Sequence, residues 1–425
     1  MSTSTVAATA AAMFALSIAS AMSDRARYPR VREVTETVPT PKPVPSLETH
    51  RTPATTRPPV PSSVPVAPST SASPESGAST GPVPGSEPLT YPGLSNTTNK
   101  CFAISLMQAL ASFGELTRAA RVDANPDKSA KDALGTALGL ADEHERDRMV
   151  ERTIQVRKQL VEVLNALGVP RGARPDINFQ NLLRSLHEHC ATGNANWTGS
   201  AQQDAQELYL VMMQCIFRDK GEFKRLLHFE EATKKWCQPA AGAHTALVID
   251  RKEGTECLMM ALTEPDGSPV VNGTMQGVFD KHFELAEWDG QNASCHHPPD
   301  PGTGPTEQNR LGSLPDVLCI NLKRFHSGTN RLDTPIRLSE SLKVDGRHTE
   351  GAIPERMYDL IACTCHSGAK TPHSGHYWTY CKRPSQSNEN KWFECNDKSV
   401  IQVTWDHVAR ESEKTSYLLF FRSRK

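Results

Sequence analysis

The sequence predicts an α+β protein preceded by a long irregular N-terminal region. Three observations support this prediction. Apolar residues recur at helical spacing in the first half of the globular part, and short segments rich in β-branched and aromatic residues fill the second half. Ahead of both, residues from about Val38 to Pro92 are dominated by Pro, Ser, Thr, Ala and Gly. A helical half followed by a strand-rich half favours an α+β domain.

Residues 1–92 form the low-complexity N-terminal region. With almost no aromatic side chains after Val38, this stretch cannot bury enough apolar surface to offset its ordering entropy, so we expect it to be disordered. The uncharged run at 6–22 (VAATAAAMFALSIASAM) has three interpretations. A signal peptide would have a basic start, which is missing, although Ala19-Ser20-Ala21 resembles a cleavage site. A membrane anchor would be longer and more apolar, so we favour a small-residue tail without membrane contact.

Composition limits the class of partner and the compartment. The chain has 425 residues, of which 37% are hydrophobic, enough for a sizeable core. Its 47 basic and 48 acidic residues give no excess of positive charge, so we predict no nucleic-acid partner. Eleven cysteines, an odd number spread thinly along the chain, differ from the dense disulfide framework of a small secreted domain and favour a reducing compartment.

Three segments between residues 101 and 217 have helical periodicity. One stripe runs through 101–113, another through 148–167, and a third helix is expected near SAQQDAQELYLVMMQCIF (200–217) with Ser200 as its N-cap. Packing in a core accounts for these apolar residues. Strands are predicted for VLCINLKRF, YDLIACTCHS, HYWTYCKR, KWFEC and SYLLFFRS.

Cys101 stands at the predicted N-terminus of the first helix. Backbone N–H groups and the helix dipole favour a thiolate there, and Lys100 beside it is placed to act in the same direction. A lone cysteine is more often an inert buried side chain. However, His376 begins an aromatic strand, and Asn396 and Asp397 end a later one. Cys, then His, then Asn or Asp is the chain order of a papain-like cysteine protease site.

Seven segments between residues 92 and 425 resemble, in order, the motifs of the ubiquitin-specific protease (USP) family of cysteine deubiquitinases, or ubiquitin carboxyl-terminal hydrolases. They are GLSNTTNKCFAISLMQAL (93–110), QQDAQEL (202–208), LPDVLCINLKRF (314–325), MYDLIACTCHSG (357–368), SGHYWTYCK (374–382), KWFECNDKSV (391–400) and SYLLFFR (416–422). Seven segments in the right order are far more specific than a single motif match.

The resemblance implies a papain-like cysteine protease fold of the USP type over residues 93–425. Its parts would be a helical thumb at about 93–225, β fingers at about 226–313 and a β-rich palm at about 314–425. The implied activity is thiol-dependent hydrolysis of isopeptide or peptide bonds at the C-terminal glycine of ubiquitin, with ubiquitin and ubiquitinated proteins as partners of a monomeric enzyme. Alternatives are a non-catalytic ubiquitin-binding pseudoenzyme, a protease for another ubiquitin-like modifier, or a general papain-like endopeptidase.

The resemblance also implies roles for the five candidate catalytic residues. Cys101 would attack the carbonyl carbon, and His376 would act first as base and later as acid. Asn396 would orient the imidazole, and Asn96 would donate its side-chain amide to the oxyanion. Asp397 competes with Asn396 for the orienting role. Because successive side chains of a regular strand point to opposite faces, we expect only one of the two at the ring and assign Asp397 a supporting role.

Three further residues are candidates for substrate binding. Asp204 and Glu207 lie three positions apart, hence on one helix face, and the resemblance implies that they meet the arginine-bearing tail of ubiquitin. Without the family resemblance, the simpler interpretation of Asp204 and Glu207 would be an acidic helix face exposed to solvent. Tyr377 is a candidate for lining the channel for this tail, as is Trp378, although period-2 burial makes one of two adjacent aromatic residues a core residue.

The first motif departs from the family pattern at Thr98, Lys100 and Ile104, where Gly, Thr and Asn are usual. Since Thr does not adopt positive φ cheaply, we expect Thr98 to reshape the loop that aims Asn96 and to reduce activity.

USP fingers often carry two CxxC pairs that bind zinc. Each pair here keeps only one thiol. Ala240 and Pro298 stand three positions after Cys237 and Cys295, where the second cysteine of a CxxC pair would be. A mixed site would have to recruit the nearby histidines His244, His296 and His297. We therefore predict that the fingers hold together without a metal and that the protein uses no cofactor.

Four triplets, beginning at Asn96, Asn196, Asn272 and Asn292, fit the N-glycosylation pattern. A glycan on Asn96 would block the amide that the oxyanion requires. The sequence therefore predicts a cytoplasmic catalytic domain, including the case of a microbial protein delivered into a host cell.

Overall fold

The computed structural model describes residues 90–170, 179–190, 201–219, 221–237, 246–264, 268–270, 273–287, 306–326, 330–368, 370–385 and 389–424. The predicted disordered region, except for its last three residues, lies outside these ranges. So do the run at 6–22 and the histidines considered for zinc. Within the described ranges, no three His, Cys, Asp or Glu side chains are grouped so that they could hold a metal ion. No helix in the same ranges combines the length and apolar character needed to cross a bilayer.

Helices make up most of the described chain before residue 228. In chain order, the described helices are α1 (Cys101–Leu110), α2 (Gly114–Asp123), α3 (Lys128–Leu138), α4 (Glu143–Gly168), α5 (Phe179–Cys190), α6 (Ala205–Val211), α7 (Glu222–Leu227), α8 (Met275–His282) and α9 (Trp405–Ser412). A π-helical turn, Met212–Ile216, directly continues α6.

Side-chain caps explain where several of these helices begin. Asp127 accepts a hydrogen bond from the N–H of Ala130 at the start of α3, and Asp142 accepts one from the N–H of Glu145 at the start of α4. Thr404 caps α9 in the same way. Each cap satisfies a backbone donor that has no partner inside its helix.

Helix α1 lies in the main core of the described residues. All ten of its residues are buried, and all are apolar except Ser105 and Gln108. It joins a core cluster that also contains side chains of α4, α5 and α6 and of the large sheet described below. The residue that opens α1, Cys101, is therefore held by a helix with no solvent-facing side.

Strands make up most of the remaining chain. They are β1 (Phe229–Cys237), β2 (Ala246–Thr255), β3 (Leu258–Ala261), β4 (Ala286–Glu287), β5 (Thr306–Leu311), β6 (Val317–Lys323), β7 (Phe325–His326), β8 (Asn330–Arg331), β9 (Ser341–Val344), β10 (Arg356–Ser367), β11 (His376–Pro384), β12 (Asn390–Asn396), β13 (Ser399–Val403) and β14 (Ser416–Ser423).

Three sheets result from their pairing. The largest has the order β13-β12-β11-β10-β14-β6-β3, with β9 also paired to β10, and only β3 and β6 are parallel in it. A second sheet has the order β2-β1-β5-β4 and is antiparallel, and β7 pairs with β8. The central strands β10 and β14 are buried along nearly their whole length because core clusters cover both faces.

The predicted α+β class is confirmed, and each of the five predicted strand segments contains an observed strand. The predicted N-cap at Ser200 is wrong, because α6 begins at Ala205 and Asp204 caps it by accepting the N–H of Gln206 at 2.7 Å. The division into thumb, fingers and palm stays a prediction. One strand inside the predicted fingers, β3, pairs with the large sheet.

Candidate active site

Cys101 and His376 face each other across the contact between α1 and the large sheet. Cys101 opens α1 and is 2% exposed, and His376 opens β11. A hydrogen bond with Cys101 is the largest cause that raises the pKa of His376 to about 9, against the opposing effect of partial burial. The imidazole of His376 can therefore carry a proton beside the sulfur at neutral pH.

Asn396 determines which ring nitrogen of His376 faces the sulfur. Nε2 of His376 lies 2.8 Å from Oδ1 of Asn396. Since a carbonyl oxygen only accepts, Nε2 carries the hydrogen and donates it, and Nδ1 is the nitrogen left for Cys101. The orienting amide thus fixes both the tautomer and the direction of the imidazole.

Antiparallel pairing of β11 with β12 brings His376 and Asn396 together. Thr379 lies opposite Cys395, so the start of β11 and the end of β12 lie side by side at the same end of this strand pair. The indole of Trp378 is nearly parallel to the ring of His376, with centroids 6.2 Å apart. The pairing of β11 with β12 therefore brings His376 and Asn396 together, and Trp378 limits the movement of the imidazole.

Gly375 allows β11 to begin where it does. Its φ is +103°, a conformation in which L side chains are strained. A Cβ atom at this position would lie 2.3 Å from the carbonyl oxygen of Ser367 and 2.9 Å from Nε2 of His366. Only glycine therefore fits directly before His376.

Both the oxygen and the nitrogen of the Asn96 side-chain amide make hydrogen bonds. Its Oδ1 accepts the backbone N–H of Lys100 at 2.7 Å, and its Nδ2 donates to Oδ2 of Asp397 at 3.2 Å. The second hydrogen on Nδ2 remains for another acceptor. The N–H of Cys101, in the first turn of α1, has no intrahelical acceptor either. These two donors are candidates for an oxyanion hole.

The expected effect of Thr98 on this loop needs correction. Among the described residues other than glycine, only Asn99 and Asp397 have positive φ, at +55° and +50°. Asn tolerates this conformation much better than Thr, and Thr98 is exposed outside it. Lys100 is buried, and burial lowers the pKa of its ammonium group, while Ile104 packs in the core.

Asp397 lies in the turn after β12, at positive φ, rather than in the strand. The rule that successive side chains of a strand point to opposite faces therefore does not apply to Asp397. Both Asn396 and Asp397 reach the site. Asn396 hydrogen-bonds to the imidazole, whereas the carboxylate of Asp397 hydrogen-bonds to Asn96. Asp397 Oδ1 is buried without a hydrogen-bond partner among the described residues.

Gln202 is a site residue that the sequence analysis did not single out. Its Oε1 lies 3.6 Å from the sulfur of Cys101, and its Nε2 donates to the carbonyl oxygen of Pro372 at 3.3 Å. Gln202 therefore contacts both Cys101 and the loop that precedes His376. Its place in the QQDAQEL segment was the signal that could have identified it.

The structure separates the two acidic candidates. Asp204 is 9% exposed, and its carboxylate oxygens accept the hydroxyl of Tyr417 at 2.9 and 2.8 Å in addition to capping α6. Burial raises the pKa of Asp204. Glu207 is partly exposed and makes no side-chain hydrogen bond or ion pair with the described residues. The substrate contact predicted for Asp204 therefore needs correction, whereas the position of Glu207 allows one.

Tyr377 also needs correction as a channel-lining residue. Its ring is 1% exposed, and its hydroxyl donates to the carbonyl oxygen of Pro372 at 3.1 Å. Alternation along β11 turns Tyr377 into the core and leaves Trp378 partly exposed. Of the two adjacent aromatic residues, Trp378 is the one positioned to meet a substrate.

Comparison with known proteins shows the family of the chain. The family model for ubiquitin carboxyl-terminal hydrolase matches residues 92–421. Human ubiquitin carboxyl-terminal hydrolase 3 is 33% identical over 124 residues, which cover 27% of this chain and 22% of that protein. Ubiquitin C-terminal hydrolase 22 of Arabidopsis thaliana is 23% identical over 393 residues, covering 79% of this chain and 64% of the relative. The chain thus spans less than two thirds of the length of either relative.

Solved structures share the fold. The SAGA DUB module Ubp8/Sgf11/Sus1/Sgf73 bound to monoubiquitin contains a chain that is 20% identical, with a TM-score of 0.54, covering 80% of this chain and 72% of that one. The same module bound to ubiquitin aldehyde gives 18% identity and a TM-score of 0.53, covering 79% and 70%. With the family model spanning residues 92–421 and the fold in agreement, this chain belongs to the ubiquitin carboxyl-terminal hydrolase family.

Proposed function

We propose that the protein is a cysteine deubiquitinase that hydrolyses isopeptide or peptide bonds at the C-terminal glycine of ubiquitin. The observation that carries this proposal is the convergence of Cys101, His376 and Asn396, from two ends of a family-matched chain, into one hydrogen-bonded set. The solved structures of similar fold include complexes with monoubiquitin and with ubiquitin aldehyde, which supports ubiquitin as the substrate.

Acylation begins with attack of the Cys101 thiolate on the glycine carbonyl carbon, forming a C–S bond. The negative charge that develops on the carbonyl oxygen is stabilised by Nδ2 of Asn96 and the N–H of Cys101. His376 gives its proton to the leaving amine as the C–N bond breaks. The product is a thioester between ubiquitin and the enzyme, with the amine of the former conjugate released.

Deacylation reverses the proton movement. His376, now neutral, removes a proton from a water molecule, and the oxygen attacks the thioester carbonyl. The C–S bond breaks, ubiquitin leaves as a carboxylic acid that releases its proton to solvent, and Cys101 again holds the thiolate beside a protonated imidazole. Asn396 keeps the ring in one orientation through both steps.

Recognition of the ubiquitin tail is assigned to Glu207 and Trp378. The partly exposed carboxylate of Glu207 is suited to a guanidinium of the arginine-bearing tail. Asp204 is assigned a supporting role, because its carboxylate caps α6 and binds Tyr417. We expect Glu207→Gln to raise KM for ubiquitin substrates with a smaller effect on kcat.

A cytosolic location is proposed for the catalytic domain. The eight cysteines whose side chains the structure describes are free thiols, including the buried neighbours Cys381 and Cys395, whose sulfurs are 3.5 Å apart. Such thiols suit a reducing compartment. The requirement that the Asn96 amide remain free of a glycan supports the same location.

The direct test uses ubiquitin with an electrophile in place of its C-terminal carboxylate. The full chain, its Cys101→Ala variant and a Cys215→Ala control would be incubated with this probe and with probes made from other ubiquitin-like proteins. We expect a covalent adduct with ubiquitin for the wild type and the control only.

Other outcomes identify the alternatives. An adduct only with another modifier would change the substrate and keep the mechanism. Ubiquitin binding without any adduct would indicate a pseudoenzyme. Cleavage of unrelated peptides with similar efficiency would indicate a general endopeptidase.

A further inference from the structure

A cationic cleft of about 500 Å³ lies where the C-terminal end of α1, the start of α2 and the end of α4 meet the ends of β11 and β14. None of the candidate catalytic residues lines it. Its described lining residues include four arginines, one lysine and one glutamate, namely Arg118, Arg121, Arg383, Arg422, Lys382 and Glu115. The ammonium group of Lys382 is already paired with Glu340 at 3.0 Å, so the arginines supply the available positive charge. This concentration of positive charge contrasts with the near-neutral charge of the whole chain.

The arginines at the rim retain unused hydrogen-bond donors. Arg118 makes no hydrogen bond or ion pair with the described residues, and Arg121 donates to Oδ1 of Asn165 at 2.9 Å. Arg422 approaches Glu115 only to 3.8 Å. Each guanidinium has five N–H donors, so most of those around the cleft remain available to a ligand.

Arg383 supplies a buried charge to the same cleft. It is 1% exposed and donates to the carbonyl oxygens of Leu167 and Gln108, each at 3.0 Å. Its Nε has no hydrogen-bond partner among the described residues, and no described carboxylate forms an ion pair with it. Its guanidinium also donates to Oε1 of Gln108 at 2.5 Å and lies over the ring of Tyr91, 4.8 Å from the ring centroid. The nearby groups able to take a negative charge are Cys381, Cys395 and Tyr91. The missing partner of Nε and the absence of a carboxylate among the described neighbours favour an anion in the space beside this buried cation.

The start of α2 adds backbone donors to the cleft. This helix begins at Gly114 without a side-chain cap, and both Gly114 and Glu115 line the cleft. The guanidinium of Arg118 folds back over this end, since a Cβ on Gly114 would lie 3.4 Å from Nη1. First-turn N–H groups and the helix dipole add to the attraction of the arginines for an anion.

We propose that this cleft binds a compact ligand that bears two or more phosphate groups. Planar guanidinium groups match the oxygens of an oxyanion in pairs of hydrogen bonds, which a halide cannot accept. A phosphate group also brings more negative charge to the arginines than a carboxylate does. Two phosphates are needed because the arginines stand on separate walls, Arg118 and Arg121 on α2 and Arg383 and Arg422 near the ends of β11 and β14. The volume is within the range typical of small-ligand sites.

The test measures binding of inositol hexakisphosphate to the full chain by titration calorimetry. Wild type would be compared with Arg118→Gln/Arg121→Gln and with Arg347→Gln/Arg410→Gln, whose arginines are each 67% exposed and lie outside the cleft. We expect one saturable site in the wild type, affinity roughly tenfold or more weaker in the cleft variant, and unchanged affinity in the control. Thermal melts without ligand would show that each variant is folded, and Arg422→Gln replaces the double variant if it is not.

Competition experiments test the number of phosphates. Pyrophosphate should displace the probe at concentrations where orthophosphate does not, and equal potency of the two would overturn the requirement for two phosphates. Equal affinity of wild type and cleft variant, equal weakening in the control, or no binding at millimolar probe would each overturn the proposal. Formation of the ubiquitin adduct is not a readout, so the result does not depend on the proposed activity.

Discussion

Asp397 accepts a hydrogen bond from Nδ2 of Asn96 at 3.2 Å, although the two residues are 301 positions apart. The backbone strengthens the link, because the carbonyl oxygen of Asp397 accepts the N–H of Leu94 at 2.9 Å. Asn396, the neighbour of Asp397, orients His376. A single strand end and its turn therefore position both the imidazole and the candidate oxyanion donor.

Removal of the Asn96 amide should slow catalysis without preventing binding. We expect Asn96→Ala to lower kcat by about 10²- to 10³-fold with little change in KM, because the donor acts on charge that develops in the transition state. Steady-state hydrolysis of a fluorogenic ubiquitin C-terminal amide would measure this effect. A larger change in KM than in kcat would contradict the oxyanion role.

Asp397 should act through Asn96. Asp397→Asn preserves tolerance of positive φ but removes the anionic acceptor, and we expect a smaller loss of kcat than in Asn96→Ala. In the Asn96→Ala background the same substitution should have little further effect, because the group it positions is gone. Additive losses in this double-mutant cycle would show that Asp397 acts independently of Asn96.

The pH dependence of activity should report the pKa of His376, raised to about 9 from its ordinary value of 6.5. A raised histidine pKa means that its contribution to folding stability is fully present below pH 6.5 and is lost as pH rises through about 9. The acid needed by the leaving amine is lost over the same range. We expect kcat/KM for an amide-linked ubiquitin substrate to fall above about pH 9.

Asn396→Ala provides the comparison for the pH profile. The bond with Asn396 is one of the causes that raise the pKa of His376, after the bond with Cys101. Its removal should shift the descending limb of the profile to lower pH and reduce the maximal rate. A descending limb at the same pH in both proteins would contradict the assignment of this limb to His376.

Gly93 is required by the close approach of two chain segments. A Cβ at this position would lie 2.3 Å from the carbonyl oxygen of Lys398 and 2.5 Å from that of Asp397. We therefore expect Gly93→Ala to displace the turn after β12 and reduce both stability and activity. Gly346→Ala is the matched control, since a Cβ there meets nothing within 4 Å. Thermal melts and adduct formation would compare the two, and equal behaviour would contradict the steric argument.

Tyr417 should stabilise the fold through Asp204. Tyr417→Phe removes the hydroxyl that donates to the buried carboxylate, and we expect a loss of about 1–3 kcal/mol in the free energy of unfolding. Urea denaturation would measure it. The loss should be smaller in an Asp204→Asn background, because the amide that replaces the carboxylate requires less compensation. An unchanged free energy of unfolding in Tyr417→Phe would contradict this role.

The local sequence was sufficient to identify the elements of the site. Cys101 begins a mostly apolar helix, and His376 begins an aromatic strand, so motif and periodicity located both. Resemblance then favoured Asn396 over Asp397 for the orienting role, and the hydrogen bond to His376 agrees with that choice. The α+β class followed from the order of helices and strands.

Predictions that depended on the surroundings of a side chain were less successful. Asp204 and Tyr377 were candidates for substrate contact, yet both are buried and hydrogen-bonded inside the protein. Gln202 was missed because its role depends on a sulfur 101 residues earlier in the chain. Burial and partners arise from packing between distant segments, which periodicity does not describe.

The amino-acid sequence was enough to identify the family, to predict helices and strands, and to name the residue types available for thiol chemistry. Tertiary structure decided how they combine: the turn at Asp397 leaves regular strand geometry, so two neighbouring side chains serve two different partners. Packing also gathered the cations of α2, β11 and β14 around one cleft. The physical reason is that secondary structure follows from local periodicity, whereas hydrogen bonds and charge clusters between distant segments form only when the core brings those segments together.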